Sequence, residues 1–149
     1  MYKKDFRSII EVSEMGLFGT AAPILIDINL VLQYITLILL VVGYIKKKPF
    51  KTHGYIMLSM LLITVGTTLL VMAPRLLMTY TSYGPTVIVH ASFGIVCILL
   101  GTLFSYRFIT AVRNEKPLLC GTKNMMRLAF ILWLVPILAG TMMYVALYV

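Results

Sequence analysis

The chain has 149 residues, 60% of them hydrophobic and 12% charged, with a mean hydropathy of +0.97 and a net charge of +8. A globular domain is about 45–50% apolar and about 25% charged, so this balance argues against a water-soluble domain and fits a chain whose lipid-facing and core-facing surfaces are both apolar. The basic residues flank apolar runs instead of interleaving with exposed aromatics, so the positive charge predicts a membrane protein with no nucleic-acid partner.

Crossing about 30 Å of hydrocarbon takes about 20 apolar residues. Four stretches reach that length, about residues 23–44, 54–73, 86–106 and 126–148. They predict an all-α, single-domain, integral membrane four-helix bundle that uses most of the chain. Before the first span, residues 4–18 place Phe6, Ile9, Ile10 and Leu17 near one helical face, with Arg7, Glu11 and Glu14 on the other side. That pattern predicts a short amphipathic helix in the membrane interface or docked on a partner subunit. The segment lacks the central apolar run of a signal peptide.

In the first span Pro23 suits a helix start. Asp27, Asn29 and Gln33 are unusual at membrane depth, where an acid costs several kcal/mol unless it is paired or wet. Lysines with Pro49 form the first loop and cannot continue a membrane helix. The second span carries Ser59 and Gly66 on one face, and the third carries Gly94 and Gly101, spacings that predict close helix packing. Pro74 should stop or kink the second span, and Tyr80 and Tyr83 should anchor at the headgroups. Pro136 should kink the fourth span and free the carbonyl of Leu132. Cys97 lies within a span and Cys120 in a loop, at different depths, so no disulfide joins them and neither belongs to a zinc-type cluster.

Orientation follows from lysine and arginine. The first and third loops carry Lys46, Lys47, Lys48, Lys51, Arg107, Arg113, Lys116, Lys123 and Arg127. The N-terminal tail and second loop carry Lys3, Lys4, Arg7 and Arg75. Nine against four places the first and third loops in the cytoplasm and both termini on the outer side.

Two histidines in such a bundle raise a haem site. His53 precedes the second span, at the headgroups of one face, and His90 opens the third span at the other. Their separation is about 20–30 Å by hydrocarbon thickness, whereas two axial nitrogens on one iron are about 4 Å apart. The outer ends of the spans gather Asp27, Met72, Arg75, His90 and Met142 or Met143. A His90–Asp27 hydrogen bond stapling the first and third spans is the expected arrangement. The alternative is a metal site of His90, Asp27 and Met72, because imidazole and thioether both suit copper. No phosphate loop, nucleophile elbow, HExxH or paired carboxylates occur, and no catalytic activity is expected.

The series NLVLQY…GY in the first span, THGYIM opening the second, a histidine opening the third and MRLAFILWL in the fourth resembles one family. It is the small four-helix membrane family catalogued as domain of unknown function 420, which includes CtaM/YozB-like assembly factors for haem–copper cytochrome oxidase. The resemblance runs from about Phe18 to Val149. The oxidase assembly factors carry further histidines at the outer end of the second span and the start of the fourth, where this chain reads VMAPR and GTKNMM; only His53 and His90 carry over. The resemblance implies a non-catalytic accessory subunit or assembly factor of a larger membrane oxidoreductase complex, such as a terminal oxidase or a copper membrane monooxygenase like ammonia monooxygenase. Its expected partners are the lipid bilayer and other membrane subunits, with no cofactor of its own. The rival is a protein of the cell membrane that holds copper or haem at His90.

Overall fold

The computed structural model describes residues 16–46, 48–79, 85–115 and 123–149. Proline marks three helix starts, where its missing N–H costs no intrahelical bond. Pro23 precedes α1 (Ile24–Ile45), Pro49 precedes α2 (Phe50–Thr67), and Pro85 is the first residue of α4 (Pro85–Arg113). The break expected at Pro74 takes a milder form. After α2 the chain passes through a π-helical turn, Thr68–Met72, into α3 (Ala73–Thr79), and Phe50–Leu77 remains one apolar helical run. A proline ring clashes with the carbonyl four residues back, here Leu70, and the wider π turn relieves it; the Ala73 N–H bonds to the Thr68 carbonyl. The last helix, α5, is Lys123–Tyr148.

The runs Ile24–Ile45, Phe50–Leu77, Pro85–Arg113 and Asn124–Tyr148 are each long and apolar enough to cross a membrane. The second and third exceed the expected spans at their polar ends, because helical hydrogen bonding continues past the apolar stretch. At the other edge of the description, Gly16–Ala22 form turns and bends, so 16–18 are not helical. The rest of the expected interfacial helix, Tyr80, Tyr83 and Cys120 lie outside the described residues.

The helices form a square. α1 packs on α2 and α5, α4 packs on α2 and α5, and α1 and α4 stand on a diagonal. Neighbours run antiparallel, as short connections require. At one end Tyr44 packs on Phe130 with ring centroids 4.6 Å apart, and Gly54 lies against the ring of Phe108. At the other end the start of α1 meets the end of α5 through Asp27 and Tyr144. Leu40, Met60, Leu61, Cys97, Trp133 and Ile137 make the buried core between the ends. Lipid is as apolar as these side chains, so close packing and hydrogen bonds between helices, not transfer from water, hold them together.

Gly101 behaves as its spacing predicts. A Cβ there would stand 2.9 Å from Leu61 Cδ1 and 3.0 Å from Trp133 Cζ2, so the missing side chain lets both α2 and α5 approach α4. Gly94 and Gly66 do not pack as expected: a Cβ on either meets nothing within 4 Å. A shared face sets direction, not distance. At the level of Gly94 the helices diverge around a cavity, and Gly66 faces open space just before the π-helical turn.

The carbonyl freed by Pro136 has a donor. Cys97 Sγ points at the Leu132 oxygen from 3.1 Å, so this buried thiol is a hydrogen-bonding group as well as a small apolar one.

Candidate functional site

Asp27 is 0% exposed. Tyr144 Oη donates to its Oδ1 at 2.6 Å and the Phe18 N–H donates to Oδ2 at 3.3 Å. With the tyrosine proton committed to the carboxylate, Thr20 Oγ1 donates to Tyr144 Oη at 2.9 Å and accepts from the Ala22 N–H at 3.4 Å. Gly19, at φ +69°, turns the chain here, and a side chain on Gly16 would collide with the Asp27 carboxylate and the Ala22 carbonyl. The segment Gly16–Ala22 therefore closes over the first turn of α1 and clasps it to α5. Such donors are what a buried carboxylate needs in a medium of low dielectric.

This clasp replaces the expected His90–Asp27 staple. Asp27 sits on α1 and His90 on α4, and those helices are diagonal. Both carboxylate oxygens are taken by nearer groups, so Asp27 also drops out of the expected metal cluster. Tyr144 escaped the sequence reading. The available signal was its place with Tyr148 one turn on, the two rings 5.5 Å apart, at the helix end that must meet Asp27 in an antiparallel bundle.

Beside the clasp the four spans border a half-open cavity of about 320 Å³. Asn29 and Gln33 of α1, Met72 and Arg75 beyond α2, His90 and Gly94 of α4, and Met143 and Tyr148 of α5 are in its wall. The structure thus brings together His90, Met72, Arg75 and Asn29 and leaves Asp27 outside. Of the two candidate methionines Met143 lines the cavity, whereas Met142 is 73% exposed. Gln33 Nε2 donates to the Ile137 carbonyl at 2.8 Å and to Pro136 O at 3.4 Å, and Arg75 Nη1 donates to Tyr148 Oη at 3.1 Å. His90 Nδ1 and Asn29 Oδ1 are buried and have no hydrogen-bond partner among the described residues. Each such atom costs about 1–3 kcal/mol until something pairs with it. The wall offers the imidazole of His90 and the thioethers of Met72 and Met143, but no group of three His, Cys, Asp or Glu residues converges among the described residues.

The opposite end holds a smaller cavity, about 140 Å³, lined by His53, Met57, Phe104, Phe108 and Trp133 among others. His53 packs inside the bundle, 8% exposed, and its ring Nδ1 lies 2.7 Å from the Gly43 carbonyl oxygen. A carbonyl only accepts, so Nδ1 carries the proton. Gly43 lies in the last turn of α1, whose carbonyls lack intrahelical partners, and His53 satisfies one of them. The two histidines occupy cavities at opposite ends of the bundle, which excludes a single haem held by both.

The architecture defines a multi-pass membrane protein: an antiparallel square of apolar helices with a polar-edged cavity at one end. No family model, curated protein or solved structure matches the chain.

Proposed function

We propose that the protein is a non-catalytic accessory subunit or assembly factor of a larger membrane oxidoreductase complex in the cell membrane, a terminal oxidase or a copper membrane monooxygenase. The outward face of α4 carries this reading. Ser92, Ile95, Leu99, Thr102, Tyr106 and Ile109 are all exposed and recur at alternating spacings of three and four. That is the seam of a helix pair packed knobs into holes. Ser92 and Thr102, whose hydroxyls donate to the Ile88 and Ile98 carbonyls, give this face the small hydroxylated residues in which interfaces between membrane helices are enriched. The partner is a transmembrane helix of another subunit. Its oxidoreductase character rests on the resemblance of NLVLQY, THGYIM, His90 and MRLAFILWL to the oxidase assembly factors.

Purification in mild detergent tests the reading. The wild-type chain should co-purify with a haem- or copper-containing membrane complex. The double variant Leu99→Trp, Thr102→Phe should lose that complex yet keep its own melting temperature, because both side chains stand outside the bundle. A wild-type chain that isolates alone, or a variant that keeps its partners, would overturn it.

We also propose that both termini face outward, since nine of the thirteen basic residues lie in the first and third loops or on the helix ends beside them. A Val149→Cys chain that also carries Cys120→Ser should react with a membrane-impermeant thiol reagent in intact cells. Labelling that appears only after permeabilisation reverses the orientation.

A further inference from the structure

We propose that the cavity between Asn29 and His90 binds a hydroxyl-headed amphiphile drawn from the bilayer. The inference rests on the cavity, which shares only Ile95 with the outward seam of α4. At about 320 Å³ the space falls at the lower end of small-molecule sites, about 300–1,000 Å³. Its wall is apolar over most of its area, with Leu30, Val71, Leu76 and Ile95 among the lining residues, and this suits a hydrocarbon body. The π-helical turn Thr68–Met72 forms part of the same wall; such turns concentrate at functional sites.

The two unpaired atoms define the head of the ligand. Asn29 Oδ1 only accepts, so the ligand must bring a hydrogen. His90 Nδ1 donates in one tautomer and accepts in the other. A hydroxyl meets either demand: it donates to Asn29 Oδ1, and it accepts from or donates to His90 Nδ1 as the tautomer requires. In the opposite tautomer a second hydroxyl donates to Nδ1. A ketone, an ether or an ionised carboxylate has no hydrogen for Asn29 and leaves it unpaired. Arg75, which donates one N–H to Tyr148 Oη and keeps its charge, stands in the same wall as a further donor to a hydroxyl oxygen. Two membrane sources supply this chemistry: lipid alcohols, with one hydroxyl, and quinols, with two on a ring.

Calorimetric titration of the full chain in phosphatidylcholine nanodiscs, without oxygen, tests the assignment. The probes are farnesol and decylhydroquinone, each beside its counterpart lacking the hydroxyl hydrogen, farnesyl methyl ether and decylbenzoquinone. Each hydroxyl form should bind at least about tenfold more tightly than its counterpart, the effect of one hydrogen bond left unmade in a buried site. Farnesol binding as well as the hydroquinone assigns the site to lipid alcohols, and hydroquinone binding alone assigns it to quinols. Asn29→Leu should abolish the hydroxyl preference. Gly94→Phe, whose side chain enters open space, should block every probe while the melting temperature stays near that of the wild type. Equal affinity for the paired probes would overturn the proposal, as would no binding at all, the behaviour of a water-filled cavity. One copper per chain that disappears in His90→Gln would also overturn it and give the cavity to a metal.

Discussion

Tyr144→Phe should destabilise the bundle by about 2–3 kcal/mol in a detergent unfolding titration. The substitution keeps the ring and removes one oxygen, so packing changes little. What it removes is the 2.6 Å donor to a carboxylate that is 0% exposed. Hydrogen bonds to charged groups contribute about 1.5–3 kcal/mol, and an orphaned buried acceptor loses its solvation as well. Thr20 loses its acceptor at the same time, which places the effect at the upper part of that range. The double variant Asp27→Leu, Tyr144→Phe removes both partners and should cost less than the sum of the two single changes, since neither is left unpaired. Tyr144→Phe within about 0.5 kcal/mol of the wild type would show that the clasp contributes nothing to stability.

Gly101→Leu should cost about 1–3 kcal/mol or more, and Gly94→Leu close to nothing. The two glycines lie on one helix face, two turns apart, and differ only in what stands opposite. At Gly101 even the first side-chain carbon falls 2.9 Å from Leu61 and 3.0 Å from Trp133, both members of the buried core. Neither neighbour can yield without opening the contacts of α2 or α5 with α4. At Gly94 the added atoms enter the cavity. Thermal melting in the same detergent compares them directly; equal losses would mean that the helices close on Gly94 as they do on Gly101.

The contrast marks where the sequence stops being informative. The number of spans was legible because crossing a bilayer demands a length of apolar chain, and a length can be counted. The helix start at Pro23 was legible because the ring sets the first turn locally, whereas Pro49, expected in the first loop, and Pro85 proved to open helices as well. The freed carbonyl of Leu132 followed from Pro136 by the same local rule, although its donor, Cys97, did not. That His90, Met72 and Arg75 gather at one end followed from span order and antiparallel alternation alone.

Rotation and neighbour choice were not legible. A span apolar on every side has no hydrophobic stripe to say which face turns inward. So the sequence by itself determined the four spans, their order and which residues share a depth. Only the tertiary structure decided that α1 and α4 are diagonal, and that fact redirects Asp27 from His90 to Tyr144. It also decided that Gly101 is pinned while Gly94 borders a cavity, and that His53 closes the end of α1. The reason is the same in each case: depth follows from position along the chain, whereas partners follow from helix azimuth, which only side-chain packing between helices sets.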